Sequence, residues 1–102
     1  MSTLHTINKS PFSHTTLASC LQVCGSKDGI LLLEDGVFGA LGSAPCAEEL
    51  TVLINAGIKV YVLAGDVNAR GLQLKLRGDV QQIDYNGFVQ LSIEHNCVQS
   101  WY

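Results

Sequence analysis

The sequence predicts a layered α/β domain with a mainly parallel sheet. Short runs rich in β-branched and apolar residues alternate along the chain with segments whose apolar residues recur at helical spacing. The run ILLL at residues 30–33 is apolar on both faces, which is typical of a strand buried between two layers. Strands that alternate with helices favour parallel pairing and right-handed crossovers. The length of 102 residues is that of one domain, so we expect a single domain over residues 1–102.

The first half of the chain is predicted to contain two strands and two helices. Residues 3–8 alternate and include β-branched side chains, so they are a predicted strand that ends before Pro11. A helix over residues 13–24 is predicted from apolar side chains at i, i+3, i+4 and i+7, namely Leu17, Cys20, Leu21 and Cys24. After the strand at 30–33, Pro45 is expected to open a second helix over 45–56, with two acidic residues in its first turn.

The second half is predicted to repeat this pattern. Residues 58–63 (IKVYVL) form a third predicted strand, residues 64–66 a turn, and residues 67–72 a short helix interrupted by Gly71. Residues 80–84 are a fourth strand and residues 85–95 a helix. The tail NCVQSWY either adds a short strand or packs against a partner. Sites in such sheets lie beyond the carboxyl ends of the strands, and three of the four predicted ends carry an aspartate.

Composition limits the possible partners. Charged residues make up 15% of the chain, well below the roughly 25% of ordinary soluble domains, which suggests that another chain covers part of the surface. The net charge of −3 and the absence of a long basic run argue against direct binding of nucleic acid. We see no secretory signal and no apolar run long enough to span a membrane, and we therefore expect a soluble, cytoplasmic protein.

The four cysteines suggest neither a disulfide framework nor a metal site. In the cytoplasm they are expected to be reduced, they form no CxxC pair, and the stretch that holds His14, Cys20 and Cys24 does not match a usual zinc pattern. No phosphate-binding glycine motif and no Ser/His/Asp order is present. We therefore predict no cofactor and no metal.

Five segments in register resemble the DsrH/TusB family over nearly the whole chain. They are LHTINKSPF, LLLEDGV, KVYVLAGDVNARG, IDYNGFV and the terminal VQSW. The resemblance implies a three-layer, flavodoxin-like sandwich with a sheet of about five strands. Cys20 is similar to the DsrH branch, which is found with sulfur oxidation, more than to the TusB branch, which is found with tRNA thiolation.

The resemblance also implies partners. Family members pair with DsrE/TusD-like and DsrF/TusC-like subunits in a 2:2:2 heterohexamer, a sulfurtransferase complex that passes persulfide sulfur to a transient DsrC/TusE-like acceptor. The end use is either cytoplasmic sulfur oxidation or 2-thiolation of the wobble uridine of tRNA. The sulfur-carrying cysteine of such complexes is on the DsrE/TusD-like subunit, after its third strand. This chain has Ala64, Gly65 and Asp66 there, and a carboxylate would repel a thiolate. We therefore expect an accessory subunit without catalytic residues.

A few residues remain as site candidates. Cys20 is a weak candidate for a secondary persulfide carrier, although its helical spacing is that of a buried core face. Asp35 and Asp66 precede predicted helices, so they either cap them or shape a subunit contact, and Arg70 is a possible partner of either carboxylate. Trp101 is expected in an interface or against the core. An isolated flavodoxin-like ligand-binding domain is a third hypothesis.

Overall fold

A computed structural model describes residues 2–102 and contains one five-stranded sheet. The strands are β1 (Thr3–Ile7), β2 (Gly29–Leu32), β3 (Lys59–Leu63), β4 (Gln81–Ile83) and β5 (Cys97–Trp101). Every neighbouring pair is parallel, in the order β4-β3-β2-β1-β5. The predicted three-layer α/β sandwich is confirmed, and the tail does form a strand. The order differs from the 2-1-3-4-5 order of flavodoxin itself.

In the described part of the chain, four α-helices and one 3₁₀ helix connect the strands. They are α1 (Thr16–Val23), the 3₁₀ helix (Glu34–Ala40), α2 (Ala47–Asn55), α3 (Ala64–Ala69) and α4 (Tyr85–Glu94). None of these helices has the length and apolarity that crossing a bilayer requires, as far as residues 2–102 are concerned. The 3₁₀ helix was not predicted, because its glycines and its acidic start suggest a loop.

Three predicted helix starts were wrong for local backbone reasons. Residues 11–13 form a turn closed by the carbonyl of Ser10, which accepts from the N–H groups of Ser13 and His14, so α1 begins at Thr16. Cys46 has a left-handed φ of 71°, which no helical residue adopts, so α2 begins after it and not at Pro45. The predicted turn at residues 64–66 is instead the first turn of α3.

The direction of each crossover decides how the two faces of the sheet are covered. From β1 to β4, each new strand lies on the same side of the strand before it. Right-handed crossovers between these strands place α1, α2, α3 and the 3₁₀ helix on one face of the sheet. The main core forms there, around buried side chains such as Ile7, Ile30, Leu32 and Val62. Only the step from β4 to β5 runs back. Within residues 2–102, α4 is therefore the one helix on the second face, where Leu91 packs on Leu4, Leu31 and Tyr61.

Candidate functional site

Three predicted site residues meet at the carboxyl edge of the sheet. Arg70, just after α3, donates from Nε and Nη2 to Oδ1 of Asp35 at 3.0 and 2.9 Å. Its Nη1 donates to the backbone carbonyl of Asp66 at 3.1 Å. The 3₁₀ helix after β2 and the helix after β3 are thereby joined. Asp35 is largely exposed, so the ion pair itself adds little stability, and its main effect is to fix the geometry of this edge.

Asp66 holds a strained turn in place. Its Oδ2 accepts from the backbone N–H of Glu34 at 2.6 Å. Glu34 has a φ of 50°, a left-handed conformation that is unfavourable for a residue with a side chain. The carboxylate therefore satisfies the first N–H of the 3₁₀ helix from a neighbouring element. This contact explains why an acidic side chain stands at the position after β3.

Three of the four cysteines are poorly suited to act as thiolates. Cys20 is fully buried in the main core, and burial, followed by the charges of Cys24 and Asp28, raises its pKa to about 12. Burial and then Asp28 raise the pKa of Cys24 to about 11. Burial and then Glu49 also raise the pKa of Cys46. Cys97 is exposed at the start of β5, at the opposite edge of the sheet from Asp66.

A buried polar network lies beside Cys24, and no sequence motif predicted it. His5 Nδ1 accepts from the indole N–H of Trp101 at 3.1 Å, and Nε2 lies 2.9 Å from Oδ2 of Asp28. The indole can only donate, so the proton of a neutral His5 is on Nε2 and points at Asp28. Asp28 also accepts from the backbone N–H groups of Thr3 and Gly25. His5 and Asp28 are 23 residues apart, and neither belongs to a motif, so no sequence signal paired them.

This network fits hydrogen bonding better than metal binding. Ligand atoms of His5, Cys24 and Asp28 lie within 4.8 Å of one another, as a metal site would require. A metal on Nε2 of His5 would require that nitrogen to be unprotonated. The remaining proton would then sit on Nδ1 and face the indole N–H of Trp101. Two donors would oppose each other, so we assign the three residues a structural role.

The network predicts a stability that depends on acid pH. Burial by itself would raise the pKa of Asp28, but the hydrogen bonds from Gly25, His5 and Thr3 outweigh it and lower that pKa below 3.8. The contribution of Asp28 to the free energy of unfolding is therefore complete above the pKa that this carboxyl has in the unfolded chain. It is lost as the pH falls through the lower pKa of the folded protein. We expect Asp28→Asn to cost about 1–3 kcal/mol at pH 7 and clearly less at pH 3. Urea denaturation at both pH values checks this, and an equal cost at both would contradict it.

Comparison with known proteins gives consistent results. The family model described as "DsrH like protein" matches residues 9–98. Protein TusB of Escherichia coli O81 (strain ED1a) is 40% identical over 98 residues, which are 96% of this chain and 99% of that protein. Protein TusB of Escherichia coli O6:K15:H31 (strain 536) has the same identity and coverage.

Solved structures support the fold. The ychN protein from E. coli superposes with a TM-score of 0.83 at 18% identity, covering 98% of this chain and 99% of that one. MTH1491 from Methanobacterium thermoautotrophicum, a protein of unknown function, has a TM-score of 0.77 at 12% identity and covers 96% and 97%. At these identities the likeness concerns the fold alone.

Proposed function

Because this chain belongs to the DsrH/TusB family, we propose that it is a non-catalytic subunit of a sulfur-relay complex. In this proposal it joins DsrE/TusD-like and DsrF/TusC-like subunits in a 2:2:2 heterohexamer in the cytoplasm. The complex passes persulfide sulfur to a DsrC/TusE-like acceptor. The family model carries the DsrH name and the curated relatives carry the TusB name, so both sulfur oxidation and tRNA thiolation stay open as end uses.

The proposal rests on the carboxylate of Asp66 at the carboxyl edge of the sheet. A persulfide carrier needs an exposed thiol that ionises readily, which basic neighbours or a helix N-terminus promote. The position after β3 instead holds Asp66, engaged with the backbone of Glu34. The cysteines with shifted pKa values, Cys20, Cys24 and Cys46, are all shifted toward the neutral thiol. Cys97 is exposed but lies at the opposite edge of the sheet from Asp66, and we infer that a partner subunit supplies the reactive sulfur.

Two measurements test this role. Co-expression with the two paralogous subunits should give a complex that stays together in gel filtration, and a chain that elutes alone would contradict the proposal. A variant with the buried Cys20 replaced by alanine and the other three cysteines by serine should assemble and pass sulfur to the acceptor at the wild-type rate. Its control is the same complex with the carrier cysteine of the DsrE/TusD-like subunit replaced, which should abolish transfer.

The alternative hypothesis makes Cys20 a secondary persulfide carrier. With a pKa of about 12, only about one Cys20 in 10⁵ is a thiolate at pH 7, and its side chain is fully buried. We therefore expect a thiol reagent to modify the exposed Cys97 in the native protein and Cys20 only after unfolding. Mass spectrometry of the chain after incubation with a persulfide donor decides the matter. A sulfur adduct on Cys20 of the folded protein would favour the alternative.

A ligand-binding domain is the remaining candidate, and one observation favours it. The strand order reverses between β1 and β5, and α/β folds bind ligands at the carboxyl ends next to such a reversal. Asn8 follows β1 there, and its Oδ1 is buried without a hydrogen-bond partner within residues 2–102. Titration with flavin mononucleotide tests this hypothesis. Saturable binding that Asn8→Ala removes would support it.

A further inference from the structure

We infer that the outer flank of α4 and strand β5 form the surface through which this chain binds a partner subunit of the proposed complex. We call this surface the α4–β5 face, and its apolar members are Tyr85, Val89, Ile93 and Val98. The inference rests on the proposed function and specifies which side of the molecule carries it out. The partner is a folded protein subunit with an uncharged, apolar contact surface.

The topology leaves this face half covered. Five strands span about 19 Å from the first axis to the last, and one α-helix is about 10 Å wide. Four helical segments cover the main core, but α4 is the one helix of residues 2–102 on the other side. Part of the apolar second face therefore depends on something other than this chain for its cover.

An exposed apolar stripe runs along the outward side of α4. Tyr85, Val89 and Ile93 follow at i, i+4 and i+8 and are 69%, 42% and 72% exposed. Glu94 is on the flank toward β3, where it lines a pocket together with Tyr61. At about 100° per residue the stripe is centred about 160° around α4 from the buried Leu91, so it faces outward, away from the sheet. In β5, Val98 is paired with Leu4 and so points to the face of the sheet that carries α4, where it is 43% exposed.

Strand β5 adds an unprotected sheet edge. Four of its five residues are exposed, and the sequence CVQSW contains no proline and no charged side chain of the kind that blocks edge pairing. Within this strand, the backbone carbonyl of Ser100 accepts a hydrogen bond from the side-chain amide of Gln99 at 3.1 Å. Such an edge is a hazard in a free chain and is harmless when a subunit covers it.

Charge identifies the class of partner. Between Val80 and Tyr102 the sequence has no lysine or arginine, and its two acidic residues are Asp84 and Glu94. Both have partners within the chain, since Asp84 caps α4 through the N–H of Gly87 and Glu94 accepts from Gln90. A surface without cations suits neither nucleic acid nor an anionic membrane. Aromatic and apolar side chains with few charges are typical of the core of a protein interface.

A second apolar surface competes for the same role. A cleft of about 400 Å³ lies between α1 and α2, lined by Ala18, Leu21, Cys46, Glu49, Val52 and Leu53. Its rim carries the charge of Glu49, and Glu48 is exposed next to it. The layer beneath it is complete, because α1 and α2 both pack on the main core. The α4–β5 face is therefore the better candidate, and Val52 provides a matched comparison for it.

The experiment measures assembly with the two paralogous subunits of the same organism. Ile93→Lys and Val98→Lys each place a charge on the α4–β5 face, and Val52→Lys places one on the α1–α2 surface at a residue that is 66% exposed. All three positions are solvent-exposed in the free chain, and urea denaturation verifies that each variant is folded. We expect the first two to weaken binding at least about tenfold and Val52→Lys to leave it unchanged.

The outcomes separate the inference from the function on which it rests. If the wild-type chain does not assemble with the paralogues, the proposed function is wrong, and the inference that the α4–β5 face is a subunit interface is wrong as well. If the wild type assembles and Ile93→Lys and Val98→Lys do so equally well, only the face is wrong. Loss of assembly in Val52→Lys alone would assign the interface to the α1–α2 cleft. If Ile93→Lys only converts a homodimer of the free chain to a monomer, the occupant is a second copy and the inference is overturned.

Discussion

Replacing Gly36 with alanine is expected to lower the free energy of unfolding by at least about 3 kcal/mol. An alanine Cβ at this position would lie 2.0 Å from the backbone oxygen of Ile7 and 2.8 Å from its carbonyl carbon. Ile7 ends β1, which is paired on both sides, by β2 and by β5. Its carbonyl cannot move away without disturbing two ladders. Urea denaturation of the wild type and the variant measures the loss.

Gly65 is the matched control for this substitution. It lies in α3 at the same edge of the sheet, and a Cβ there would meet nothing within 4 Å. Gly65→Ala is therefore expected to be neutral or to stabilise the protein by up to about 1 kcal/mol, because alanine favours the helix. A Gly36→Ala variant as stable as Gly65→Ala would show that the 3₁₀ helix does not approach β1 as closely as described.

The elements that the sequence predicted well are those with a strong local pattern. The apolar run after Gly29 specifies a buried strand, and the helix predicted over residues 85–95 agrees with α4, which Asp84 caps in the structure through the N–H of Gly87. Strand order and the unequal covering of the two faces follow from how the strands pair over long distances. The sequence of a strand does not specify which strand lies beside it. The strand order and the unequal covering of the two faces therefore could not be predicted.

The candidate site was predicted in part. Asp35 and Asp66 were proposed because they precede predicted helices, and Arg70 as a possible partner of either carboxylate. The structure places Arg70 against the Asp35 carboxylate and the Asp66 backbone carbonyl, and their role in a subunit contact stays a prediction. The actual bond of Asp66 to the Glu34 N–H depends on a left-handed residue in a 3₁₀ helix that was not predicted. Asp28 was missed because it stands in an unremarkable turn before β2, and only the fold brings its carboxylate to His5.

Trp101→Ala is expected to destabilise the protein by about 3 kcal/mol. The sequence suggested an interface or a core position for this residue, and its side chain packs against the main core from the edge strand β5. It also donates to Nδ1 of His5, whose ring is 6.1 Å away between centroids. The alanine variant loses both the packing and the hydrogen bond. Thermal and urea denaturation measure the sum.

Two further variants separate these terms. Trp101→Phe keeps an aromatic ring but leaves Nδ1 of the buried His5 without its donor, so we expect a smaller cost of about 1–2 kcal/mol. Tyr102→Ala removes the neighbouring aromatic side chain, which is 84% exposed, and should change stability by less than about 0.5 kcal/mol. Because Trp101 anchors β5 from the main-core side, Trp101→Ala should also weaken subunit binding through the α4–β5 face. Equal stability of Trp101→Ala and Tyr102→Ala would mean that β5 is not anchored by this residue.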